Sequence, residues 1–201
     1  MTESSTVTTT WQSLARRTAL ITGIAGALAL TLAVSLALSW RGTLPDPVAS
    51  HWGADGHPDG FSTVTGFLAI PLALGVLLLV GAVAAILVWG KSAAVRRVNA
   101  GAGVWVTSVL ALTLVSSLAI QRHLADATTA AQPVWLMAVI FIIPFVPAVA
   151  VAVLVPRDPP RPATAVPPEG VPRWELGGGE RAVWFERTGG GTSAIILVVV
   201  T

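Results

Sequence analysis

Four stretches of this chain, residues 18–40, 66–89, 98–120 and 134–155, contain no charged side chain. A helix advances about 1.5 Å per residue and the hydrocarbon core of a bilayer is about 30 Å thick, so about 20 apolar residues suffice to cross it. Each stretch meets that length, and the sequence predicts four membrane-spanning helices. Composition agrees: charged residues make up 11% of the chain, where a soluble domain carries about 25%. Trp40, Trp89 and Trp135 stand at predicted span ends, where amphipathic rings settle among headgroups. Pro71, Pro144 and Pro147 fall inside spans and are expected to kink them, with neighbouring helices satisfying the freed carbonyls.

Orientation follows from the basic residues. With the N-terminus in the cytoplasm, the inner flanks hold Arg16, Arg17, Lys91, Arg96, Arg97, Arg157 and Arg161, and the outer loops hold only Arg41 and Arg122. This bias obeys the positive-inside rule. The first run is too long for a signal-peptide core and lacks a small-x-small cleavage site, so it reads as an uncleaved anchor.

Several functions lose their footing here. The basic residues flank spans and form no patch interleaved with aromatics, so no nucleic-acid partner is expected. The chain has no cysteine, which excludes disulfides and thiolate metal sites. Proton relays and ion-coupled transporters place charge inside the bilayer, and these spans hold none. Ala25, Ala29, Ala33 and Ala37 form a small-residue ridge on the first helix, suited to close packing or to dimerisation.

The richest segment is the outer loop, residues 41–63, and within it Leu44 to Phe61. Pro45 and Pro47 fix φ and push the residues before them towards extended backbone. Asp55-Gly56 and Asp59-Gly60 are turn signals, the aspartate capping backbone amides and the glycine accepting positive φ. His51, Trp52 and Phe61 give the loop amphipathic faces, and an ordered loop is expected without disulfides.

Leu44, Pro45, Val48, His51 and Trp52, followed by Gly56, Pro58, Asp59 and Gly60, closely resemble the signature of the domain of unknown function 1648 family, which sits between a first and a second membrane helix. The resemblance covers roughly residues 18–89. It departs at Ala49, where the family commonly has proline. It implies kinship with SdpI-like membrane proteins, which protect bacteria from a peptide toxin and can signal to a repressor, and hence an immunity or sensing role.

The same loop offers His51, Asp55, His57 and Asp59 as candidate metal ligands, since imidazole and carboxylate suit several divalent ions. A calcium-loop reading that starts at Asp55 fails at Gly66, where a bidentate glutamate is expected. No His-Glu-x-x-His is present for a zinc hydrolase. The plainer reading has the aspartates capping turns and His51 and Trp52 packing or hydrogen-bonding at the interface. The second outer loop, residues 121–133, is short and polar, and its His123 is expected to face water.

The chain is thus expected to be an all-α membrane protein. A tail (residues 1–17) precedes the helix–loop–helix unit (18–90) and a second helix pair (91–155). A proline-rich cytoplasmic linker follows (156–173), stiff by composition, then a small irregular or β tail (174–201). The apolar run at residues 193–201 either pairs as a strand or begins a truncated fifth span. The expected function is binding or sensing in the bacterial inner membrane, without a cofactor and without catalysis. Expected partners are the lipid bilayer, a peptide ligand or a membrane protein, and a second copy of the chain. The motif residues Pro45, Asp46, Pro47, His51, Trp52, Gly56, Pro58, Asp59 and Gly60 would carry that function. The rivals are a membrane metallohydrolase using the His/Asp loop and a structural subunit of a membrane complex.

Overall fold

The computed structural model describes residues 3–159, with side chains from Trp11 onward. The expectations placed on residues 160–201, including the choice between a strand and a fifth span, lie outside the described residues. Helix α1 (Glu3–Ser39) leads through a 3₁₀ turn (Arg41–Thr43) to strands β1 (Val48–Trp52) and β2 (Pro58–Ser62). Helices α2 (Val64–Trp89) and α3 (Ala93–Ala119) follow, then a second 3₁₀ turn (Ala127–Thr129), α4 (Val134–Ile142) and α5 (Phe145–Leu154). Among the described residues, four helical segments are long and apolar enough to cross a membrane: Trp11–Ser39, Val64–Trp89, Ala93–Ala119 and Val134–Leu154. This is a multi-pass membrane protein.

Three features have local causes, the first and third departing from expectation and the second an expected proline interruption. First, α1 begins at Glu3 rather than near Thr18. The apolar span has already nucleated the ladder, and no glycine or proline stands between Glu3 and Thr18 to stop it spreading into the polar segment. Second, the last span is broken, with α4 ending at Ile142 and α5 starting at Phe145. Pro144 has no N–H for the ladder, whereas Pro147 falls in the first turn of α5, where a missing N–H costs little. The Trp105 indole of α3 donates to the Phe141 carbonyl at 3.1 Å, so a neighbouring helix serves the interrupted segment. In contrast, α2 continues through Pro71. Third, the outer loop is a β-hairpin, β1 pairing antiparallel with β2, so the protein is not purely helical.

Helix α3 is the centre of the bundle: more of its span is buried than of any other. Ala33 and Ala37 of α1 are buried, and Ala25 and Ala29 pack against the buried clusters. The alanine ridge is therefore spent inside the chain and does not present a dimerisation face. Gly103 shows how close the helices come: a Cβ there would lie 2.7 Å from the Ala82 Cβ. Buried Thr22 and Thr107 return their hydroxyls to carbonyls of their own helices at 2.9 Å, which leaves no orphaned polar group at those positions.

At the end of the bundle away from the hairpin, Arg96 is fully buried. Its Nη1 donates to Gly90 O at 3.0 Å and its Nη2 to Pro156 O at 3.1 Å and Asp158 Oδ1 at 2.8 Å. The second carboxylate oxygen of Asp158 accepts from the Ala93 N–H at 2.8 Å, in the first turn of α3. One ion pair thus ties the exit of α5 to the turn between α2 and α3, and it places a negative charge where the α3 dipole favours one.

Candidate functional site

The hairpin and residues 121–133 form a single cap over one end of the bundle. After α1 the chain turns through Arg41–Thr43, and Leu44 is extended ahead of Pro45, as a residue preceding proline should be. Pro45 is buried, and the bond from Asp46 to Pro47 is cis. Val48, at the base of β1, is buried with Ala37, Leu68, Leu114 and Leu118, which roots the hairpin in the helices. Asp55 and Gly56 make the predicted turn: Asp55 Oδ1 accepts from the His57 N–H at 3.1 Å and Gly56 takes φ +79°.

Asp59 and Gly60 do not make a turn, contrary to their signature; both lie in β2. Gly60 stands opposite His51, and a Cβ on it would be 3.0 Å from the His51 Cβ. Its lack of a side chain serves this close approach, because its φ is not positive. Across the strands His51 Nδ1 hydrogen-bonds Asp59 Oδ1, and both side chains are exposed. His57 and Asp55 are exposed near the hairpin tip.

The candidate ligands therefore separate into a His51–Asp59 pair and an Asp55 carboxylate occupied by a turn. Among the described residues no group of three or more ligating side chains gathers to hold a metal.

The loop of residues 121–133 is not a plain polar connector. Gln121 is fully buried and brackets the backbone of Ala49: its Oε1 accepts from the Ala49 N–H at 2.6 Å, and its Nε2 donates to the Ala49 carbonyl at 3.0 Å. The side chain thus replaces a strand along the open edge of β1 and satisfies two buried backbone groups. Trp52 donates its indole N–H to the Ala130 carbonyl at 2.6 Å and packs with Ala49, Leu124, Ala127 and Ala130. At the tip, the Gln132 N–H donates to Gly56 O at 3.0 Å. His123 is exposed as expected, with φ 65°, and its N–H donates to Thr43 O at 2.7 Å. Arg122 stacks over Trp40, 4.8 Å from the ring centroid, and Arg41 donates to Thr65 Oγ1 at 3.1 Å.

Of the predicted residues, Pro45 and Trp52 hold the cap together, while Asp46, Pro47, His51 and Asp59 face outward with Phe61. Between hairpin and second loop lies a cleft of about 380 Å³ bordered by Asp46, Pro47, Phe61, Asp126 and Thr128. The Asp126 carboxyl is held below its ordinary value of 3.8, first by the hydrogen bond from the Thr128 backbone N–H and then by the Thr128 hydroxyl. It is therefore a carboxylate at neutral pH, beside an apolar wall.

Comparison with known proteins places one family on this unit. Residues 26–75 match the family described as a domain of unknown function, DUF1648. The match runs from the middle of α1 through the hairpin to the middle of α2, narrower than the resemblance read from the motif. Neither the curated proteins nor the solved structures yield a match.

Proposed function

We propose, from the premise that residues 26–75 form a DUF1648 domain, that this chain is a bacterial inner-membrane protein whose cap binds a peptide or envelope component. The observation that carries this reading is the division of labour within the cap. Gln121, Trp52 and Val48 fix the hairpin from behind, and His51, Asp59, Phe61 and the Asp46/Asp126 cleft form its free face. A connector needs no such buttressing, whereas a recognition surface gains affinity from being ordered before the ligand arrives. The arginine distribution supports a cytoplasmic N-terminus and a cap outside the cell. Immunity or sensing of the SdpI-like kind fits a rigid outer surface over spans that carry no charge through the hydrocarbon. The protein then works by binding, not by catalysis.

The test uses exposed residues, because replacing Trp52 would loosen the cap itself. A chain carrying His51→Ala, Asp59→Asn and Phe61→Ala together should reach the membrane at wild-type level and fail to complement a deletion strain. Full complementation of every deletion phenotype would remove the cap from consideration as the working surface.

A further inference from the structure

The outer surface of α3 and α5 carries a groove of about 460 Å³ whose lining is apolar apart from Arg97. Gly101, Ala102 and Ala152 leave its floor low, and Trp105 and Phe145 close the far end, their rings 5.4 Å apart. From Arg97 to Trp105 the groove follows roughly 12 Å of helix, against about 15 Å for one leaflet of a 30 Å core. The groove therefore runs most of the way through a single leaflet, and its cation stands at the headgroup end.

Arg97 differs from its neighbour Arg96. Arg96 donates to three backbone carbonyls and the Asp158 carboxylate. Arg97 makes one long contact, Nη2 to Val155 O at 3.5 Å, whereas the Nε of both arginines is buried without a hydrogen-bond partner among the described residues. A guanidinium with spare donors beside a chain-length apolar channel matches the chemistry of an acidic lipid: phosphate on the cation, acyl chain below. The arrangement recurs on the other side of the bundle. There Arg16 heads an apolar groove of about 580 Å³ lined by Leu20, Gly23, Ile24 and Val83.

We infer that the α3–α5 groove is a binding site for one anionic phospholipid, its phosphate held by Arg97 and one acyl chain laid against Gly101 and Ala102. The site is separate from the cap and does not depend on what the cap binds.

Native mass spectrometry of the full chain in detergent, titrated with phosphatidylglycerol or with phosphatidylcholine of identical chains, tests this directly. Wild type should retain phosphatidylglycerol over phosphatidylcholine by about fivefold, the worth of one basic residue at an anionic membrane surface. Arg97→Gln should abolish that preference and Arg97→Lys should keep part of it. Ala102→Phe, at a lipid-exposed position, should block the groove and weaken binding of both lipids. Equal retention of the two lipids by wild type overturns the proposal, as does wild-type phosphatidylglycerol binding by both Arg97→Gln and Ala102→Phe. If Arg97→Gln fails to fold, Ala102→Phe alone decides, with its melting temperature in detergent as the control.

Discussion

Gln121 holds both backbone polar groups of Ala49, accepting from its N–H at 2.6 Å and donating to its carbonyl at 3.0 Å. Because both residues are buried, no water replaces either bond. A buried backbone group left unpaired costs about 1–3 kcal/mol, so Gln121→Ala is expected to lose that amount for each of the two groups. Ala49→Pro removes only the N–H, and half the clamp with it. Thermal unfolding in detergent measures both effects, and hydrogen exchange at the Ala49 amide follows the loss of the clamp in Gln121→Ala. Wild-type stability with slow Ala49 exchange in Gln121→Ala would show that the hairpin does not lean on this clamp.

Arg96 and Asp158 make a second prediction. Cutting a fully buried pair costs roughly 3–5 kcal/mol. The Asp158 side chain is 44% exposed, so its loss should cost less than that of Arg96, which leaves several carbonyls without a donor. Arg96→Leu is expected to destabilise by about 2–4 kcal/mol and Asp158→Asn by about 1–2. Arg96→Lys should not restore stability, since an ammonium lacks the planar fork that reaches Pro156 and Asp158 together. Equal melting temperatures for Arg96→Lys and wild type would contradict this.

Two glycines should respond in opposite ways to the same change. At Gly103 an added methyl meets the Ala82 Cβ, which has no rotamer to escape into, so α2 and α3 must separate. Gly103→Ala is therefore expected to cost about 1–3 kcal/mol. At Gly81 a Cβ meets nothing within 4 Å, and Gly81→Ala should stabilise α2 by about 0.5–1 kcal/mol through helix propensity alone. Melting temperatures of the two variants that moved in the same direction would refute the packing described for α2 and α3.

The pH dependence of the second loop follows from Asp126. Its carboxyl is depressed in the folded chain by the Thr128 amide, so the capping contribution is complete above 3.8 and is lost as pH falls through the depressed value. Neutral and mildly acidic conditions should leave the 3₁₀ turn unchanged. The midpoint of the Thr128 amide shift should fall below 3.8 in wild type, and Asp126→Ala should remove that movement. A Thr128 shift that tracks a titration near neutrality would point to a different group.

His51 and Asp59 are joined across the strands but exposed, and exposed pairs contribute about 0.2–1 kcal/mol. His51→Ala and Asp59→Asn should each leave the melting temperature nearly unchanged. A large loss of stability in either variant would make the pair structural and weaken its place on the proposed recognition face.

The spans were legible because length and absence of charge are local properties, and so was the turn at Asp55-Gly56. Asp59-Gly60 carries the same signature, yet its glycine answers to the His51 Cβ across the strand, a neighbour that only the fold supplies. Pro58, Asp59 and Gly60 are poor strand formers, so β2 exists through its contacts rather than its propensity. Gln121 was missed for the same reason: its partner lies 72 residues earlier in the chain. Arg96 resembled any interfacial arginine until the turn between α2 and α3 and the exit of α5 brought their carbonyls around it.

The bond from the Gln132 N–H to Gly56 O fastens the hairpin tip one residue before Pro133, where α4 begins. Tip and last span are therefore coupled mechanically. The interruption at Pro144 separates α4, which begins beside this fastening, from α5, which packs against α3.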